Sequence, residues 1–138
     1  MRTLYFFSFF LLLLSACSVN LSPYELEARH YVYLSRDDFD PNFKTHVNNS
    51  IKLLIPFFEQ FYREGVNDRE NNISSQKFEQ KISYFKSDDF IQRIDMSETF
   101  ISPKVHVKRI DNSQISAKNK KALIEGFINS YRAGYYGK

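Results

Sequence analysis

One thiol in the chain could take part in chemistry, and it belongs to Cys17, the only cysteine. It follows an apolar segment, residues 4–14. The only charged groups before this segment are Arg2 and the terminal amine. This pattern is typical of a secretory signal, and the segment is shorter than the about 20 residues that span a membrane. We therefore predict that residues 1–16 are a signal peptide that is removed; the alternative is an uncleaved apolar helix with an incidental cysteine.

The residues Leu14, Ser15, Ala16 and Cys17 resemble the lipobox of bacterial lipoproteins. In a lipobox the signal is cut on the N-terminal side of the cysteine, where small side chains give the peptidase access, and the thiol of the cysteine is acylated. The resemblance implies a diacylglyceryl-type lipid on Cys17, with more than one acyl chain, since a single chain binds membranes only marginally. Because Ser18 rather than Asp follows, the resemblance also implies the outer membrane, with the protein facing the periplasm.

The three histidines show no spacing typical of a metal site. His30, His46 and His106 fall on three different predicted elements, so we interpret them as surface or rim residues. The alternative, three histidines that converge in space, stays open at this point.

Two acidic stretches resemble the opening of a calcium loop but lack the glycine that its turn requires. Phe43 stands at that position in the stretch that starts at Asp38, and Ile73 stands there in the one that starts at Asp68. We interpret both as solvated polar clusters at helix ends. No metal and no other cofactor is expected.

Motifs of catalysis are not evident either. The chain has no glycine-flanked serine elbow and no glycine-rich phosphate loop. Its carboxylate pairs, residues 37–38 and 88–89, are neighbours in sequence, and neighbours on a helix point apart. We predict that the protein is not an enzyme and that Asp88 and Asp89 begin a helix.

Without its signal the chain has 122 residues, 138 less 16, which is the size of one domain. A single cysteine allows no internal disulfide, so packing of its many Phe and Tyr rings must stabilise the fold. We predict a lipidated cysteine with a short tether over residues 17–21 and one helical domain over residues 22–138. The five residue steps from Cys17 to Ser22 reach at most about 18 Å, which holds the domain close to the membrane.

Hydrophobic spacing predicts an all-α fold, a small bundle of four to five helices. Ser22, Pro23 and Glu25 form a capping-box pattern that starts a helix over about 23–34. A second, central helix is expected from Asp40 to about residue 66, kinked at Pro56 because proline removes a backbone donor.

The second half of the chain contains two further helical patterns. Phe78, Ile82 and Phe85 recur at helical spacing after a polar run over residues 66–75. The last helix is expected from Ser116 to Gly134, and the segment KVHVKRI, residues 104–110, alternates weakly and favours an extended piece on the helices.

The C-terminal octapeptide YRAGYYGK raises a separate question. We predict that Gly134 ends the last helix and that Tyr135 or Tyr136 turns back against Phe127 or Tyr131, because adjacent rings are usually buried. The alternative is a frayed tail.

Positive charge is concentrated in the last third of the chain. Residues 101–138 hold 8 Lys or Arg against 2 Asp or Glu. Between the loop and the last helix, this charge forms a candidate basic surface made of Lys104, Lys108, Arg109, Lys118, Lys120 and Lys121. Either it faces solvent and the acidic helices, or it contacts anionic lipid headgroups near the anchor. Nucleic-acid binding is not expected, since no recognisable motif is present.

The whole sequence without its signal resembles the small entry-exclusion lipoproteins of mobilisable colicin plasmids and their chromosomal relatives. The segments that carry the resemblance are LSAC at 14–17, HYVYLSRDDF at 30–39, DRENNISSQKFEQKISYFKSDDF at 68–90 and SYRAGYYGK at 130–138. The resemblance implies a membrane-anchored envelope protein that reduces uptake of a related plasmid, and it assigns no catalytic residue. Alternatives are a structural or assembly lipoprotein of an envelope complex, and an immunity-type inhibitor of a periplasmic toxin.

Overall fold

The computed structural model describes residues 21–37, 42–93 and 116–138, together with the backbone of 97–100 and 106–109. The fold is all-α, a small bundle of helices, as the sequence predicts. Its helices are α1 (Pro23–Leu34), α2 (Asn42–Thr45), α3 (Val47–Glu70), α4 (Ser75–Phe85), α5 (Asp88–Arg93) and α6 (Ala117–Tyr136), and a 3-10 turn, Ser35–Asp37, follows α1. The signal peptide and Cys17 lie outside the described residues.

Two short strands add to the helices, and one of them, β2, lies within the segment predicted to be extended. Strand β1 (Ser97–Phe100) pairs antiparallel with β2 (His106–Arg109), in a register that sets Ser97 opposite Arg109. The segment KVHVKRI therefore contains a strand, His106–Arg109.

Helix α1 begins where its capping box predicts. The backbone N–H and the hydroxyl of Ser22 both donate to one carboxylate oxygen of Glu25, each at 2.7 Å. The Ser22 hydroxyl and backbone hydrogen bonds lower the pKa of Glu25 and keep this carboxylate charged. Pro23 occupies the first turn, where no backbone donor is needed.

The central helix α3 differs from its prediction at both ends. Asp40 and Pro41 lie outside the described residues. The helical conformation is interrupted at His46, which separates α2 from α3. This break lets Phe43 pack edge-on against Tyr31 with ring centroids 6.0 Å apart. The helix then runs without interruption through Pro56.

At its other end α3 continues to Glu70, four residues past the predicted stop, so the first half of the polar run 66–75 is helical. Asp68 explains the extension, because it is buried and hydrogen-bonded to residues of α4 and α6. Ser74 caps α4 by accepting a hydrogen bond from the backbone of Lys77.

Buried rings from α1, α2, α3, α4 and α6 make the core. Phe61 of α3 stacks on Phe127 of α6 at 4.3 Å, and Phe85 meets Phe61 edge-on at 5.5 Å. Tyr31 contacts Phe58 at 6.2 Å. These contacts replace the disulfide that the chain cannot form.

Helices α3 and α6 run in the same direction and cross at two glycines. A Cβ on Gly65 would come within 2.1 Å of the Tyr131 carbonyl oxygen, and one on Gly134 within 2.0 Å of the Tyr62 carbonyl oxygen. The prediction that Gly134 ends the last helix is therefore wrong. Because the side chain of Gly134 is only a hydrogen atom, the two helix backbones can touch there. The residue that ends α6 in the left-handed conformation is Gly137, with φ of 70°.

Candidate binding surfaces

The predicted lipidation and cleavage residues, Leu14, Ser15, Ala16 and Cys17, lie outside the described part of the chain. What the structure describes is the start of the domain five residues after Cys17, at Ser22. Within the described residues, none of the helices combines the length and apolar character that crossing a membrane requires.

The structure brings part of the predicted basic surface together. Lys118, Lys120 and Lys121 occupy the first turns of α6, where Ser116 caps the helix by accepting from the backbone of Asn119. Lys118 and Lys121 are exposed and Lys120 is half-buried. Lys104 lies outside the described residues, and Lys108 and Arg109 lie on β2, where only the backbone is described.

The histidines are not brought together where they are described. His30 is exposed on α1, His46 is exposed just before α3, and His106 lies on β2. Within the described residues no group of three or more His, Cys, Asp or Glu side chains is placed to hold a metal ion. Asp88 and Asp89 begin α5 as predicted, and Asp89 accepts from Arg93 at 3.0 Å.

A partly buried polar cluster joins α3, α4 and α6, and the sequence interpretation missed it. Asp68 accepts hydrogen bonds from Lys81 Nζ at 2.5 Å and from the Tyr131 hydroxyl at 2.8 Å. Glu64 accepts from the same Lys81 at 2.6 Å. The interpretation of Asp68 as part of a solvated helix-end cluster is therefore wrong. The signal that could have identified it is its spacing of seven residues from Phe61, on the same face of α3.

The electrostatics of this cluster favour one fixed protonation state. Burial, and then the hydrogen bond to Asp68, raise the pKa of the Tyr131 hydroxyl, so it stays protonated and donates. Burial alone would lower the pKa of Lys81, but its hydrogen bonds to Asp68 and Glu64 outweigh that effect and raise it. Each group is occupied by another member of the cluster, so the arrangement stabilises helix packing rather than offering a free acid or base.

The outer face of α1 carries two large exposed apolar side chains. Leu26 is 51% exposed and Tyr33, two helical turns later, is 46% exposed. They point away from the buried side of the helix, which carries Ala28, Tyr31 and Val32. The guanidinium of Arg36 lies 4.3 Å from the centroid of the Tyr33 ring, a cation–π contact.

The C-terminal tyrosines are docked, but not by the predicted turn. Tyr135 stays in α6, its ring centroid lies 4.4 Å from that of Phe78, and its hydroxyl donates to the Ile73 carbonyl at 3.1 Å. Tyr136 is 59% exposed. Tyr135 therefore contacts α4 and the turn before it. Its ring also stacks on that of Tyr131 with centroids 6.4 Å apart, so the predicted contact with Tyr131 is present, but it forms within α6 and not through a turn.

Comparison with known proteins adds no relative from which to transfer a function. No family model, no curated protein and no solved structure matches the chain.

Proposed function

We propose that the protein is a lipid-anchored envelope protein that acts by binding and excludes a related plasmid from the cell. The observation that supports the anchor is the sequence Leu14 to Cys17, followed after five residues by the capping box at Ser22. The exclusion task rests on the resemblance to entry-exclusion lipoproteins. The inward-facing cluster at Asp68 fits a binding protein better than an enzyme.

The anchor is tested by metabolic labelling with radioactive palmitate. Cells that express the natural chain should yield a labelled mature protein, whereas Cys17→Ala should remain an unlabelled precursor of 138 residues. Lys138→Ala, at the opposite end of the chain, is the matched control and should be labelled normally. Equal labelling of the Cys17→Ala variant would refute lipidation at this residue.

The exclusion task is tested by conjugation. Recipient cells that express the protein should receive a related plasmid less often than cells with an empty vector, and an unrelated plasmid should enter both equally. Cys17→Ala should abolish the difference if anchoring is required. Equal transfer of the related plasmid into both recipients would contradict exclusion, and would leave the structural or immunity-type functions as the hypotheses to test next.

A further inference from the structure

The bundle has two different ends, and the directions of its helices define them. Tyr24, near the start of α1, packs on Tyr62 near the end of α3 with ring centroids 5.3 Å apart. Gly134, near the end of α6, touches the same part of α3. The end from which the tether leaves is therefore also the end at which α6 finishes. We call it the tether end.

The other end, which we call the far end, is formed where α1 finishes and where α3 and α6 begin. Tyr31 lies seven residues after the α1 ring that contacts the end of α3, and it contacts Phe58, which comes earlier in α3. Helix α1 therefore runs antiparallel to α3. Gly126 comes before the α6 glycine that touches the end of α3, and it lies against Phe58, which comes earlier in α3. Helix α6 therefore runs parallel to α3. Lys118 precedes Gly134 by 16 residues, which is about 24 Å of helix at 1.5 Å per residue.

The two ends differ in charge. At the far end, residues 33–37, 42–53 and 116–123 contain six basic side chains and one acidic side chain, a net charge of +5. These basic residues are Arg36, Lys44, Lys52, Lys118, Lys120 and Lys121, and we call them, with Tyr33, the far-end surface. At the tether end, residues 22–27, 62–81 and 130–138 contain six basic and six acidic side chains, a net charge of 0.

The segments that connect these parts of the chain do not remove the difference in charge between the two ends. Residues 38–41 would add two acidic side chains, and residues 94–115 hold three basic and three acidic ones, which leaves +3 if all are counted at the far end. Among the described residues the far-end charges are also little used internally. Lys121 approaches Glu125 at 3.9 Å with both side chains exposed, and Arg36 lies on Tyr33. Such surface pairs contribute little, so the charge stays available to a partner.

We propose that the far-end surface docks an acidic surface of a protein partner in the cell envelope. This inference rests on the proposed anchor, because the tether fixes which end is close to the bilayer. The far end lies about 24 Å along the bundle from the tether end, and salt screens exposed charges over about 8 Å, so a bundle that stands on its tether holds the far-end surface away from the lipid headgroups. Tyr33 beside Arg36 supplies the residue types that dominate protein interfaces.

Nucleic acid fits the far end less well. Its basic residues come from the 3-10 turn and from three helices, with the acidic Asp37 next to Arg36 in sequence, and its exposed ring, Tyr33, is covered on one side by Arg36. A nucleic-acid groove instead tracks a backbone with continuous positive charge and free rings. An acidic protein surface can match dispersed charges one by one.

The test uses the purified mature protein, acylated at its first residue, in neutral phosphatidylcholine vesicles. The probe is a fluorescent polyglutamate peptide. Binding at low salt should weaken at least tenfold in the triple variant Lys44→Gln, Lys118→Gln, Lys121→Gln. The matched control, Lys77→Gln, Arg132→Gln, Lys138→Gln, removes the same charge from exposed tether-end positions and should change affinity less than twofold. Lys→Arg at the three far-end positions should retain binding.

Two further probes decide between partner classes. The natural protein should bind polyglutamate more tightly than a single-stranded oligonucleotide of equal charge, and should not aggregate added phosphatidylglycerol vesicles. Equal losses in the two triple variants, or tighter binding to the oligonucleotide or the vesicles, would overturn the proposal. Because this test does not involve plasmid transfer, it can fail while exclusion stands, and exclusion can fail while binding stands.

Discussion

At the scale of single residues, Tyr131 has the most consequential polar contact in the described chain. Its ring is fully buried and its hydroxyl donates to the buried Asp68. Tyr131→Phe keeps the ring and removes the donor, so Asp68 loses one of its two partners. We expect the free energy of unfolding to fall by about 1–3 kcal/mol, measured by urea denaturation. Tyr136→Phe, at an exposed tyrosine of the same helix, should cost almost nothing, and an equal loss in both variants would contradict this account.

The same hydroxyl predicts a dependence on alkaline pH. Burial and Asp68 raise the pKa of Tyr131 above its ordinary value of 10.0. Its contribution to stability is therefore fully present below pH 10 and is lost as pH rises above that value, because the unfolded chain ionises first. Urea denaturation between pH 8 and 11 should show a steeper loss in the natural protein than in Tyr131→Phe. If the stability of both proteins fell equally with rising pH, Lys81 and other groups would account for the loss of stability.

Asp68 also shows why the sequence interpretation was wrong at this position. A local pattern of acidic residues near a helix end is typical of solvated clusters, and nothing local identifies Lys81 and Tyr131 as partners. Those partners lie 13 and 63 residues away. Only the packing of α3 against α4 and α6 brings them together.

At the scale of elements, the features that depend on neighbours in sequence were predicted well. The caps at Ser22 and Ser116 are local hydrogen bonds between residues three apart, so the residue types suffice to predict them. Gly134 was predicted wrongly, because a glycine near the end of a helix resembles a stop signal. Its role depends on the Tyr62 carbonyl of another helix.

The crossing of α3 and α6 predicts the effect of adding one methyl group. Gly134→Ala would place Cβ against the backbone of α3 at Tyr62, where no flexible side chain can move away. We expect a loss of about 1–3 kcal/mol, or more if the helices must separate, measured by thermal unfolding. Gly137→Asn should cost less, because asparagine tolerates the left-handed conformation and the nearest atom belongs to the flexible Arg69 side chain. A larger loss for Gly137→Asn would contradict the crossing argument.

The end of α6 predicts a graded response to truncation. Removing residues 136–138 deletes an exposed tyrosine and the left-handed cap, and should lower the melting temperature slightly. Removing residues 135–138 also deletes the Tyr135 ring on Phe78 and its hydrogen bond to Ile73, and should cost about 2 kcal/mol more. Palmitate labelling should be unchanged in both. Equal melting temperatures for the two truncations would show that Tyr135 contributes nothing to the fold.

At the scale of the whole molecule, the directions of three helices combine into an orientation that the sequence could not provide. Positive charge at the start of the last helix is visible in the sequence, but its distance from the anchor is not. The contacts of Tyr24 and Gly134 with the same part of α3 set the start of α1, which follows the predicted anchor in sequence, beside the end of α6 and not beside its start. Of the two hypotheses for the basic residues, this orientation favours a surface that faces solvent over one that contacts lipid headgroups.

This orientation predicts how far individual positions lie from the bilayer. A processed chain whose only cysteine is acylated has no free thiol, so Lys118→Cys and Lys138→Cys can each be labelled with one fluorophore. In vesicles that contain a headgroup acceptor, energy transfer should be stronger from position 138 at the tether end than from position 118, about 24 Å along α6 from Gly134. The same labelled proteins in vesicles without the headgroup acceptor measure the background. Stronger transfer from position 118 would mean that the bundle turns its basic end toward the membrane, and the lipid hypothesis would then replace the protein partner.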